Sequence, residues 1–265
     1  MVLLHFVDLD PDLAALRPLG GFFVLRTLRG DPGEPPGPLP TLARAYAKTP
    51  DRAASDVYGD PHGYADPLAF RVRKVARALR APEDRIAVSV AQQGLAARLW
   101  SVTLGCAVLY GRVPDLAPGL LRWDPDAGAP DDLWLTEVRS LPGAAATVAA
   151  AVLVGHLEPL SAALRARRPV APGLLRGNAG SALAGTARQL DQWARAHGRP
   201  DVAARARALT AELFTHPLLA DTGTPTGAAF RRRSCCLYYR APGGGLCGDC
   251  CFTRPPRSSP RAPSG

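Results

Sequence analysis

Four cysteines near the C-terminus carry the densest chemistry in the chain. Cys235 and Cys236 are adjacent, ten residues follow, and then come Cys247 and Cys250 in a Cys-x2-Cys spacing. Cysteine ordinarily packs as a small buried hydrophobe. The segment RRRSCCLYYRAPGGGLCGDCCF has too few apolar residues to bury four of them that way, so metal or one another are the better partners. Three chemistries compete. A zinc ribbon holds one tetrahedral ion with two Cys-x2-Cys knuckles, but adjacent side chains of an extended chain point to opposite faces, so Cys235 and Cys236 chelate a single small ion poorly. A vicinal disulfide or thiol redox pair leaves the second knuckle without a role. A [2Fe–2S] cluster is larger, spreads its ligand positions over two irons and accepts four cysteines, although the spacing is neither the bacterial nor the plant-type ferredoxin pattern. The glycines at 243–245 let the chain fold back and bring backbone amides near cluster sulfurs.

The other reactive residues read more blandly. Cys251 stands beside the second knuckle as an inert neighbour or a substitute for Cys250, and Cys106 falls on the apolar face of a helix as a core residue. Trp100, Trp123, Trp134 and Trp193 read as core. His5, His62, His197 and His216 lack metal-ligand spacing. No phosphate-binding loop or dinucleotide fingerprint occurs, which leaves direct nicotinamide binding unsupported.

The elements that must position the cysteines follow from hydrophobic period. Residues 29–40, RGDPGEPPGPLP, form a Pro/Gly linker after a short helix over 8–16 and a strand over 21–27. Helices are expected over 41–48, 66–80, 155–167, 178–197 and 200–214. The strongest internal element is a core helix over 86–110 ended by Gly111. Residues 119–123 and 133–138 flank the turn DPDAGAPDD and read as a β-hairpin. The fold class is thus α-rich α+β: a mostly helical body over 1–225 with a small antiparallel sheet, an irregular cysteine module over 226–254, and a Pro/Ser/Arg tail over 255–265.

Composition sets the limits. The chain has 265 residues and a net charge of +9, and nearly all its cations are arginine, since only Lys48 and Lys74 are lysine. From position 231 onward there are seven arginines and one acid, Asp249, so +6 of the +9 belongs to the cysteine region and its tail. Such a surface can meet an acidic protein, an anionic membrane or nucleic acid. Neither a secretory signal nor an apolar run of about 18 residues appears. The expected place is the cytoplasm, where clustered cysteines are ligands or redox groups rather than structural disulfides.

The stretch RRRSCCLYYRAPGGGLCGDC resembles the C-terminus of the FhuF-type ferric siderophore reductases. HLEPLSAALR (156–165), RGNAGSALAG (176–185), the WARAHG helix, and ARLWS with GRVPDL between 94 and 118 are similar to the body of that family in order and spacing. The resemblance implies a cytoplasmic [2Fe–2S] protein that reduces iron in hydroxamate-type ferric siderophores. Its metal ligands carry over to Cys235, Cys236, Cys247 and Cys250. It also directs attention to His156, Glu158 and Asn178 as residues in the substrate's vicinity. Against that stand ordinary roles: hydrogen bonding at a helix start for His156, and an N-cap for Asn178. Arg231, Arg232, Arg233 and Arg240 would offer a docking face to an acidic donor such as a ferredoxin. The same arginines could instead offset the anionic cluster or hold the protein at a membrane surface. Nucleic acid is not an expected partner. The rival reading is a non-catalytic iron–sulfur or zinc module that senses or regulates, or an accessory of siderophore synthesis or uptake.

Overall fold

A computed structural model describes residues 13–28, 38–47, 64–226 and 229–256. Most of the 29–40 linker, the start of the 8–16 helix and the tail beyond 256 lie outside the described residues. The body is built on α1 (Leu42–Tyr46), α2 (Pro67–Leu79) and α3 (Asp84–Tyr110). α4 (Ala145–Ala149), α5 (Glu158–Arg167), α6 (Pro172–Ala196) and α7 (Pro200–Leu213) complete it.

α3 is buried nearly all round, as expected of a helix apolar on every face. Gly111 caps it in the left-handed conformation at φ 68°. α6 lies along α3 in the most extensive helix pairing of the fold, and the Trp100 indole N–H donates across the pair to the Ala179 carbonyl at 3.1 Å.

The sheets are short. β3 (Leu121–Trp123) and β4 (Leu133–Leu135) form the expected antiparallel hairpin, with Leu121 opposite Leu135. β1 (Arg26–Thr27) adds to β4 in parallel, so the strand expected over 21–27 contracts to its last two residues. Gly21–Phe23 is instead a turn of 3-10 helix, because its carbonyls are held elsewhere. The buried Arg98 guanidinium donates to the carbonyls of Gly21, Phe22 and Val24 and pairs with Asp132 at 2.8 Å. β2 (Arg112–Pro114) pairs with β5 (Ser140–Pro142).

The helix expected from residue 155 starts at Ala145 and runs unbroken to Arg167. Its middle, Ala150–Leu157, is wound in wide π turns, and the Glu158 N–H reaches back to the Leu153 carbonyl. Pro159 explains this locally: it has no N–H to give, and its ring would meet the preceding carbonyl turn of a tight α-helix. By length and apolarity alone this helix could cross a membrane, where the sequence reading finds no such run. Half of its apolar stretch is buried against the rest of the body.

The cysteine region opens with the hairpin β6 (Gly223–Thr226) and β7 (Ala229–Arg232). The expected boundary between 225 and 226 falls within this hairpin. The unit rests on α6, with β7 making the larger share of the contact.

Candidate metal centre

Two glycines of RGNAGSALAG set how closely the cysteine unit sits on α6. A methyl group at Gly177 would fall 2.0 Å from Ser234 Oγ, and one at Gly180 would fall 2.4 Å from Thr222 Oγ1. Bare helix backbone is therefore what β6, β7 and the following turn lie against. Further along, Gly244 passes so near the start of the loop that a Cβ there would meet the Tyr238 carbonyl oxygen at 2.2 Å. That fold-back, expected from the run 243–245, returns the chain toward Cys235 and Cys236.

Polar anchors fix the loop from below. Asp249 is buried. It accepts a hydrogen bond from Ser181 Oγ at 2.6 Å and forms a two-point ion pair with Arg188, at 2.9 and 3.2 Å. Its carbonyl accepts from the Arg232 N–H at 2.9 Å. Ser89 of α3 donates to the Cys236 carbonyl at 2.7 Å, and the Asn178 amide donates to the Ser89 carbonyl and hydroxyl at 3.0 and 3.1 Å. The Asn178 Oδ1 in turn accepts from Arg232. One buried chain thus runs from Arg232 through Asn178 and Ser89 to Cys236.

The thiols themselves are crowded. Cys236 and Cys247 share a hydrogen bond. That bond, with the Arg232 charge, lowers the Cys236 pKa; the same bond and burial raise that of Cys247 against the pull of Arg232. Burial first, then the neighbouring thiols Cys236, Cys251 and Cys250, push Cys235 up to about 11. The Leu237 N–H donates to Cys235 Sγ at 3.2 Å and the Phe252 N–H to Cys250 Sγ at 3.4 Å. Amide-to-sulfur bonds of this kind favour thiolate and tune a bound metal. Cys251 lies against Cys235, with which it shares a hydrogen bond.

Arg232 tests whether an iron–sulfur cluster fits. The side chain is 2% exposed, yet its Nε and Nη1 have no hydrogen-bond partner among the described residues. An orphaned guanidinium costs free energy unless acceptors arrive. Its charge acts on Cys236, Cys247 and Cys251. Anionic thiolates and sulfides are acceptors of the required sign. Among the described residues no three Cys, His, Asp or Glu side chains gather round a single ion position, while a two-iron cluster divides its ligands between two centres. The four thiols, two amide donors and a buried cation make a donor set suited to [2Fe–2S].

Strand alternation corrects the arginine face. Along β7 successive side chains point to opposite sides, so Phe230 and Arg232 are buried while Arg231 is exposed. Arg232 lies beneath the thiols and is no docking residue. The exposed Arg231 donates to the Cys251 carbonyl, Arg233 pairs with Asp221 at 2.7 Å, and Arg240 pairs with Glu83 at 2.8 Å.

The three substrate-vicinity residues are scattered. His156 is fully buried inside the π turns: Nε2–H donates to the Leu116 carbonyl and Nδ1 accepts from the Tyr46 hydroxyl at 3.0 Å. Burial holds its pKa down to about 4, so it stays neutral and out of reach of any ligand. It is neither a helix-start residue nor a substrate contact. Asn178 lies within α6, which begins at Pro172, and is a buried link to Arg232 rather than an N-cap. Glu158 is exposed beside a separate cleft of about 190 Å³ lined in part by Ser161, Arg165 and Arg176, with no cysteine in its wall. Ser89, Ser181, Arg188 and Asp249 were not singled out by sequence reasoning. Asp249, the lone acid in a +6 stretch, was the one visible signal among them.

Compared with known families, residues 232–252 match the FhuF 2Fe–2S C-terminal domain. No curated protein matches the chain. The matched segment runs from the buried arginine past Cys250 and contains all four proposed ligands. The chain therefore carries a FhuF-type 2Fe–2S C-terminal domain, and its cofactor is a [2Fe–2S] cluster.

Proposed function

We propose that the protein is a cytoplasmic ferric-siderophore reductase that passes one electron to Fe(III) held by a hydroxamate-type siderophore, releasing Fe(II). The carrying observation is the match of 232–252 to a FhuF-type 2Fe–2S domain, on a cysteine set that crowds against a buried guanidinium. When bound, the cluster supplies single electrons at a potential set by its hydrogen bonds, charge surroundings and exposure. Cys235, Cys236, Cys247 and Cys250 would hold it, and the Leu237 and Phe252 amides would stabilise thiolate at Cys235 and Cys250.

The chemistry asked of the chain is modest. Hydroxamate oxygens are hard anionic donors that hold Fe(III) much better than Fe(II). One electron suffices to loosen the chelate, and no nucleophile or acid–base pair is needed. The exposed Arg231, Arg233 and Arg240 border the cysteine loop and offer a basic approach to an acidic one-electron donor such as a ferredoxin.

The test is anaerobic purification with iron, sulfide and zinc counted per chain, followed by EPR on reduction and titration with a ferric trihydroxamate. The expected result is two irons and two sulfides, with a reduced signal that vanishes as Fe(II) appears in a trapping chelator. One zinc and no visible chromophore would remove the proposed chemistry. Replacing Arg231, Arg233 and Arg240 by Ser should slow donor-linked reduction and flatten its salt dependence, while leaving reduction by dithionite unchanged.

A further inference from the structure

α6 and α7 turn matched faces toward the β6–β7 hairpin. Ala187, Asp191 and Arg195 recur at helical spacing along α6, and Arg207, Thr210 and Ala211 do so along α7. The two helix faces and the hairpin enclose a cavity of about 530 Å³, to which the small alanine side chains leave room. That volume is typical of a small-molecule site. Phe214 and Phe230, stacked with ring centroids 5.2 Å apart, add an aromatic wall. No cysteine stands in the lining.

The charges around this cavity do not balance. Arg188 is matched by Asp249. Asp191 is buried and serves two guanidiniums, Arg195 at 2.7 Å and Arg207 at 2.6 Å. One positive charge is left over. Arg207 gives only Nη1 to Asp191, and its other N–H groups have no acceptor among the described residues. The Arg195 and Arg207 side chains are 69% and 56% exposed, so their heads stand where the cavity meets water. The Thr210 hydroxyl, by contrast, is buried without a hydrogen-bond partner among the described residues. A hydroxyl left in that state costs free energy that a polar ligand group would recover.

We propose that this cavity binds a single-chain amphiphile with a carboxylate head, a monoanion of the fatty-acid type. The apolar walls take the alkyl chain. One surplus positive charge calls for one negative charge, and the open donor fork of Arg207 matches a carboxylate in shape. A neutral or cationic amphiphile would leave the charge unmatched. The bound chain lies against Phe230 and so braces the hairpin that leads into the cysteine loop. This site is independent of the reductase reading, since occupancy requires no electron transfer.

The probe is sodium dodecanoate below its micellar concentration, titrated calorimetrically at neutral pH into the purified full-length protein. One equivalent should bind and raise the melting temperature. Decanoate should bind about tenfold more weakly, as the loss of two buried methylenes requires. Dodecanol should also bind at least roughly tenfold more weakly, because it brings no charge to Arg207. Arg207→Gln leaves Asp191 matched by Arg195 alone, and should bring dodecanoate down to the level of dodecanol. Ala211→Trp fills the cavity from an exposed helix position and should remove binding of both, with helical circular dichroism and the visible spectrum retained. Ala187→Leu, which keeps a strong helix former, should do the same and serves if the Trp variant does not fold.

Undiminished dodecanoate binding in Arg207→Gln and in the cavity-filling variants would overturn the site, as would no binding to the wild type. Equal affinity for dodecanol would overturn the carboxylate head. Binding to dioleoylphosphatidylglycerol vesicles without binding of dodecanoate would assign the arginines to a membrane surface and overturn the proposal as well. Iron and sulfide content, which tests the reductase reading, is decided separately from all of these.

Discussion

At the residue scale, the chemistry turns on charges placed out of water. Arg232 puts a buried guanidinium under the thiols. A fixed positive charge favours whichever redox state is more negative, which is the reduced one. Arg232→Met should therefore shift the cluster potential to more negative values, and Arg232→Lys by less, as read by spectroelectrochemical titration; an unshifted potential in both would sink the idea. His156 acts on stability instead. Its folded pKa of about 4 lies below the unfolded value near 6.5, so the unfolded chain binds more protons between those limits. Stability is then intact above about pH 6.5 and falls as the pH drops toward 4, by about 1.4 kcal/mol per pH unit and roughly 3 kcal/mol in all. His156→Gln should flatten that part of the profile, measured as urea midpoints at a series of pH values. The cysteine constellation was legible from spacing because clustered thiols are a local feature of the sequence. Arg232 was not. In RRRSCC three identical residues look alike, and only the alternation of β7 separates the buried one from its exposed neighbours.

At the element scale, α6 is the seat of the C-terminal unit, and its glycines are gaps left for that unit. Gly177→Ala should force Ser234 away, since its methyl would meet Oγ at 2.0 Å. The expected outcome is a less firmly held cluster, seen as faster bleaching of the visible spectrum under a chelator, with the α-helical circular dichroism retained. Elements with a strong period were the readable ones. α3 and the β3–β4 hairpin fall close to where apolar spacing and turn residues place them. The wide turns at Ala150–Leu157 left no such trace, because an i→i+5 bulge changes no hydrophobic period. The role of Asn178 was equally silent, since its partners lie on α3 and on β7, far away in the chain.

At the scale of the whole molecule, two buried arginines hold the fold and the site together. Arg98 binds the N-terminal segment to α3 and β4 through Asp132 and three carbonyls. Removing one partner leaves the other charge buried and unpaired, so Arg98→Ala should cost about 3 to 5 kcal/mol in chemical denaturation. The same substitution frees the turn Gly21–Phe23, whose first two carbonyls Arg98 holds. Nothing in ARLWS announces this, since an arginine amid apolar helix residues reads as a surface residue until its partners are known. The anchoring of the cysteine loop bears on portability. The recognisable stretch 232–252 owes its shape to Ser89 on α3 and to Gly177, Asn178, Ser181 and Arg188 on α6. As a peptide it would carry the ligands but not the mould. A graft of this iron centre into another scaffold must bring two helices with it, which makes α3 and α6 part of the heritable unit even though the signature is confined to the cysteine stretch.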